Sequence, residues 1–200
     1  MTMKCPRCGG KDTAPIMYGM PAFDDELERA LADHKIVLGG CCISDADPKY
    51  HCFQCNKDVG TPPVLLSKRG LERYEDIITS IRFSDGGFFS GYPEVLMKKV
   101  KETILVDVRP GFATDGLLHR EIPESEWHKI ISKLYKRLYI HEWKKRFVDP
   151  GVLDGEQWEL EIHLVGGRKR TYYGSNAYPP LWKELKNVFR PYFTEAGIRL

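Results

Sequence analysis

Cys5-Pro6-Arg7-Cys8-Gly9 and Cys52-Phe53-Gln54-Cys55-Asn56 are two copies of one short pattern, and their reading decides how the first part of the chain folds. Each copy sets two thiols three positions apart across a tight turn. The proline after Cys5 and the glycine after Cys8 favour that turn and free backbone N–H groups to bond sulfur. Asn56 stands where the first copy has Gly9, at a place that often requires a left-handed backbone, and asparagine tolerates that conformation second only to glycine. Two such knuckles supply the four thiolates of a closed tetrahedral cage. Cys5, Cys8, Cys52 and Cys55 are therefore the expected ligands, and structural Zn²⁺ the expected cofactor. Cys41, Cys42 and His51 are alternative ligands by residue type, but two complete pairs already fill four positions. Cys41-Cys42 are adjacent, so on a strand their side chains leave by opposite faces. They are expected to be small buried residues.

The paired knuckles resemble a zinc ribbon, the rubredoxin-like arrangement, with one departure in spacing. Residues 9 to 51 put 43 residues between the pairs, so something folds inside the ribbon. Phe23, Leu27, Ala30 and Leu31 recur at helical spacing behind the acidic run Asp24-Asp25-Glu26, which predicts a short helix. Lys35-Ile36-Val37-Leu38-Gly39-Gly40-Cys41-Cys42-Ile43-Ser44 predicts a strand broken by glycine, and residues 45–48 carry turn chemistry. The segments Tyr18-Gly19-Met20-Pro21 and Val37-Leu38-Gly39-Gly40-Cys41, flanked by the knuckles, are similar to a group of uncharacterised bacterial zinc-ribbon proteins. That resemblance implies a bacterial or phage origin and a shared insert structure, and it brings no activity with it.

The rest of the composition bounds the class. Of 200 residues, 42% are hydrophobic and 12% aromatic, enough for a sizeable core and too many for a disordered chain. Residues 1–66 carry seven Lys/Arg against nine Asp/Glu, and the remainder 23 against 19, a mild basic bias in the second part. No apolar run follows Met1-Thr2-Met3-Lys4, and no stretch approaches the roughly 18 consecutive apolar residues of a membrane span. The expected compartment is therefore the cytoplasm, with no membrane partner.

Beyond a linker at residues 61–70 the pattern changes to strands and helices. Residues 77–83 and 88–92 predict a hairpin about the turn Ser84-Asp85-Gly86-Gly87, and residues 103–109 predict a further strand. Trp127, Ile130, Ile131, Leu134, Leu138 and His141 fall on one face of a long helix expected over residues 123 to about 147. Trp158-Glu159-Leu160-Glu161-Ile162-His163-Leu164 alternates strictly, which puts Glu159, Glu161 and His163 together on the outer face of a strand. A final helix is expected over residues 180 to 193. The fold class is α+β: a zinc ribbon with a helical insert (1–60), then an antiparallel sheet packed on one long and one terminal helix (71–200).

Function is read from these parts. The leading expectation is a non-catalytic binding or adaptor protein with structural zinc, whose partner is a protein or a nucleic acid. Basic residues interleaved with aromatics near the end of the long helix make Lys144, Lys145 and Arg146 the candidate nucleic-acid contacts. The alternative is a metal-dependent or acid–base hydrolase, perhaps a nuclease, in the second domain. Its weak catalytic candidates are Glu159, Glu161 and His163, which a pocket shared with Asp107 or His119 would strengthen. Pairing of the two glutamates with Lys169 and Arg170 would instead favour the binder. Asp107, His119, Glu121, His141 and Glu142 are scattered acid–base groups without a diagnostic spacing.

Overall fold

The computed structural model describes residues 3–67, 70–112, 116–152 and 155–200. Two residues of the expected linker, Lys68 and Arg69, lie outside the described residues. The architecture is α+β and is built on a four-stranded and a seven-stranded sheet.

The amino-terminal module begins with the first knuckle and runs into β1 (Thr13–Met17), α1 (Asp25–Ala32) and β2 (Val37–Leu38). The second knuckle is the turn of the hairpin β3 (Tyr50–Cys52) and β4 (Lys57–Val59). The strand order is β2-β1-β3-β4, with β1 antiparallel to β3 and β2 parallel to β1, so the insert crosses over through α1. That helix starts where the sequence predicts. Asp24 caps it by accepting from the Leu27 N–H at 2.8 Å, and Asp25, Glu26 and Glu28 complement the positive end of its dipole.

The expected strand from Lys35 shrinks to two residues. Tyr18 fills the space beside Gly39, where a Cβ would meet its ring at 2.4 Å, and the chain then leaves the sheet. Cys41 and Cys42 consequently lie in an exposed loop, a correction to their expected burial: with no strand there is no inner face to hold them.

A short hairpin, β5 (Val64–Ser67) with β6 (Gly70–Arg73), leads through the single turn α2 (Tyr74–Ile77) into the larger body. There β7 (Ile78–Gly87), β8 (Glu94–Val100), β9 (Thr103–Arg109) and β10 (Leu118–Pro123) form an antiparallel meander. Next come α3 (Glu124–Ser132) and the edge strand β11 (Arg146–Val148). β12 (Glu156–Leu164), β13 (Lys169–Ser175) and α4 (Trp182–Glu195) complete the body. The sheet order is β10-β9-β8-β7-β12-β13-β11, so β12 returns to pair with β7 at the centre. Every second residue of the central strands points to one face, where Phe83, Met97, Val106, Trp158, Leu160 and Ile162 pack with Trp127, Ile131, Leu134, Leu185, Phe189 and Phe193 of the helices. Among the described residues, no helix covers the opposite face.

Three expectations for the body need correction. The sheet is mixed rather than antiparallel, because the edge strand β11 pairs parallel to β13. Ser84-Asp85-Gly86-Gly87 is not a turn: β7 runs through it, opposite Trp158, Gln157 and Glu156. The glycines serve close approach instead, since a Cβ on Gly86 would lie 2.0 Å from the Gly91 carbonyl oxygen as the chain folds back. The long helix also ends early. After Ser132 it widens into a π-helical turn at Lys133–Arg137, marked by the Leu138 N–H donating to the Lys133 carbonyl at 3.0 Å. Tyr139 then adopts a left-handed backbone at φ 48°, and a 3-10 turn at Ile140–Glu142 leads toward β11. The apolar periodicity continued past the helix because Leu138, Ile140 and Trp143 are core residues as well, buried from a turn rather than from a helix face. The terminal helix begins two residues later than expected and runs two residues further.

Candidate metal centre

The two knuckles bring Cys5, Cys8, Cys52 and Cys55 together, with all four sulfurs within 4.8 Å of one another. Cys5 Sγ lies 3.9 Å from Cys55 Sγ, and Cys8 Sγ 3.6 Å from Cys52 Sγ. A tetrahedron with Zn–S bonds of about 2.3 Å has sulfur–sulfur edges of about 3.8 Å, which these two separations match. The backbone does what the sequence anticipated. Gly9 and Asn56 occupy equivalent left-handed positions at φ 79° and 51°. The Gly10 N–H donates to Cys8 Sγ at 3.4 Å, and the Cys5 carbonyl accepts from Gly9 at 2.9 Å to close the first turn.

The protonation chemistry of Cys5, Cys52 and Cys55 also favours a cation at the cluster. Burial pushes the Cys5 thiol above its ordinary value, although backbone N–H groups of Cys8 and Arg7 oppose the shift. Cys55 is pushed up to about 12 by burial and by the other three sulfurs. At Cys52 burial acts in the same direction, but the Cys55 backbone N–H and the neighbouring thiols outweigh it and hold the group below its ordinary value. A cluster that accommodates one thiolate at the expense of its neighbours becomes a set of four thiolates only when a positive ion shares their charge. All four positions around that ion would be sulfur, leaving no place for water or substrate. Cys41 and Cys42 stand apart from the cluster, their own sulfurs 3.9 Å apart, and His51 is engaged with Asp58 at 2.7 Å.

The module is fastened to the body beside this centre. Lys4 Nζ donates to the Pro180 carbonyl at 2.6 Å, and Gly9 approaches Pro180 so closely that a Cβ would lie 3.1 Å from it. Where the module ends, the Gly60 N–H, the Thr61 N–H and the Thr61 hydroxyl all donate to Glu142 Oε1, at 2.9, 2.7 and 2.7 Å. The Glu142 side chain is only 3% exposed, and its second oxygen faces Arg7 of the first knuckle at 3.8 Å. Beside it, His141 Nε2 donates to the Thr61 carbonyl at 3.1 Å while its buried Nδ1 has no partner. Burial holds this imidazole below its usual range, against the pull of Glu142. Sequence reasoning noted both residues but had no signal for their role. Only the end of the helix at Tyr139 turns them toward residues 60 and 61.

The other candidates fall on the open face of the seven-stranded sheet and on its edge. Glu159 is paired with Arg82 of β7. Glu161 is engaged by Lys169 at 2.7 Å, His163 at 2.6 Å and Arg82 at 3.8 Å, which holds it below the usual carboxylate range despite its burial. Arg170, expected beside them, instead turns to the core face and lies over the Tyr74 ring. Asp107 and His119 pair with each other at 2.5 Å. Asp107 lies in the same cross-sheet row as Glu161, but two strands intervene, a separation of about 14 Å at ordinary strand spacing. Glu159, Glu161 and His163 therefore belong to one ion-paired group and Asp107 with His119 to a separate one, while Glu121 is exposed on β10. Lys144, Lys145 and Arg146 are exposed at the start of the edge strand β11 and have no carboxylate partner among the described residues. No helix among the described residues is long and apolar enough to cross a membrane.

Comparison with models of known protein families gives no match. Comparison with curated proteins gives none either.

Proposed function

We propose that this chain is a non-catalytic binding or adaptor protein whose amino-terminal module is a zinc ribbon with a structural Zn²⁺. The observation that carries the reading is the closed four-sulfur cage, which Cys5, Cys8, Cys52 and Cys55 fill without leaving a coordination position for chemistry. The ion's contribution is to fold residues 5–59 around one point. The ribbon in turn sets the backbone of Gly60 and Thr61 against Glu142, so metal binding and the seating of the module on the body are one event. The ion-pairing of Glu159 and Glu161 also supports a binder over a hydrolase, because both carboxylates already have cationic neighbours.

The test has two parts. Metal analysis of purified protein should return one zinc per chain, and Cys8→Ser or Cys52→Ser should reduce that to none; full zinc retention in either variant would refute the cage. Capture experiments with the intact chain should then recover a macromolecular partner. If that partner is nucleic acid, affinity must fall steeply with salt and on removing charge at Lys144, Lys145 and Arg146. Robust hydrolysis of nucleic acid, abolished by Glu161→Gln, would replace this reading with the enzymatic one.

A further inference from the structure

A cleft of ≈ 570 Å³ opens between α3, its π-helical extension and α4. This is the size of a small-molecule site, which typically falls between about 300 and 1,000 Å³. Its floor is apolar, formed by the buried side chains of Leu138, Leu181 and Val188. Its two lips differ in chemistry. One carries Lys129, Lys133 and Arg137; the other carries Glu184 and Asn187.

The basic lip is an unpaired row. None of Lys129, Lys133 and Arg137 has a carboxylate partner among the described residues, whereas Lys136, one position away, is held by Glu75 at 2.5 Å. The π-helical turn is what aligns them. Four residues of α-helix overshoot a full turn by ~40°, so Lys133 is displaced from Lys129 in one sense. Four residues of the wider π-turn fall short of a full turn, so Arg137 is displaced back. A continuous α-helix would carry the third cation round the cylinder and away from the cleft.

The acidic lip is rich in acceptors. Pro191 lies inside α4 and has no N–H, so the Asn187 carbonyl four residues before it lacks its usual helical donor. The Pro191 ring lies against that carbonyl, so the acceptors of this lip are the Glu184 carboxylate and the Asn187 amide oxygen.

We propose that this cleft binds a nucleoside polyphosphate. The phosphates lie along Lys129, Lys133 and Arg137; the base, apolar on its faces, covers Leu138, Leu181 and Val188; and an exocyclic amine of the base donates to the Glu184 carboxylate or the Asn187 amide oxygen. Simpler anions use only part of this surface. Bare polyphosphate leaves the floor uncovered and is repelled by Glu184. A fatty acid offers one charge to three cations and sets its alkyl tail against a polar lip. The assignment stands on the second domain alone and does not depend on the zinc reading.

The test is calorimetric titration of the intact, metal-loaded chain with ATP, CTP, tripolyphosphate and adenosine. ATP and CTP should bind, and at least about tenfold more tightly than tripolyphosphate or adenosine. Lys133→Ala and Arg137→Ala should each weaken ATP by about tenfold. Glu184→Gln should narrow the gap between ATP and tripolyphosphate by relieving repulsion of the latter. Failure of ATP to bind at ~1 mM overturns the proposal, as do equal affinities for ATP and tripolyphosphate. Unchanged ATP binding by folded lysine and arginine variants overturns it too. Should those variants fail to fold, hydrogen exchange on the wild-type chain decides: ATP must protect residues 129–138 and 181–188, and protection confined to other segments refutes the site.

Discussion

Glu142 shows most plainly how a single side chain does structural work that residue type does not reveal. A carboxylate this buried is costly unless its oxygens are satisfied, and here three donors from Gly60 and Thr61 converge on one of them. Removing it strands those donors at the joint between module and body. Glu142→Ala should therefore destabilise the protein by about 2–4 kcal/mol, read as a shift of the denaturation midpoint. A loss below about 0.5 kcal/mol would mean the joint is solvated and mechanically unimportant. Its neighbour gives the joint a pH dependence. His141 already uses Nε2–H on Thr61, and a second proton would sit on a buried Nδ1 without an acceptor. Its folded-state value lies below the ordinary 6.5, so below pH 6.5 the unfolded chain binds the proton more readily than the fold does. Stability should be full above pH 6.5 and decline as pH falls through that value toward the lower folded one. His141→Gln should flatten this part of the stability–pH curve, and an unchanged slope would contradict the assignment.

At the scale of elements, legibility followed how local the determining interaction was. The knuckle turns, the capped helix after Asp24 and the alternating strand around Trp158 are governed by neighbours in sequence, and each formed where expected. The long helix and the Asp-Gly turn were misread because the same residues answer to partners far along the chain. Leu138, Ile140 and Trp143 keep an apolar rhythm since they reach one core by a different backbone path. Gly86 and Gly91 look like turn residues, yet they mark where backbones touch. Gly91 has φ 70°, and a Cβ there would meet the Gly111 backbone at 2.6 Å, tying the loop after β7 to the loop after β9. Gly91→Ala should accordingly cost about 2 kcal/mol or more and loosen both loops together, measurable as raised hydrogen exchange on either side of Pro93 and Pro110. Exchange confined to one loop would show that the contact does not couple them. The cleft beside α4 was illegible for a related reason: its lysines were visible in sequence, but their alignment depends on a π-turn that no local pattern announced.

At the scale of the whole molecule, all four tryptophans, Trp127, Trp143, Trp158 and Trp182, belong to the body and none to the amino-terminal module. Their emission therefore reports on the body alone. Stripping the metal with a strong chelator should abolish exchange protection across residues 5–59 while leaving tryptophan emission nearly unchanged, because structural zinc contributes on the order of 10 kcal/mol to the fold it organises. A collapse of the tryptophan signal in parallel would show that the two parts are one cooperative unit, joined through Glu142 and Pro180 more tightly than their separate cores require.

The 43 residues between the knuckles also set a clock. A ribosome adds roughly 5–20 residues per second, so Cys5 and Cys8 leave the exit tunnel some 2–9 s before the second pair that completes their site. During that interval β1 lacks its partner β3, and two thiols wait in an unfinished chain, open to oxidation or to capture by another soft ion. On the zinc reading proposed above, the order of synthesis makes metal loading a kinetic problem that begins while the chain is still attached to the ribosome.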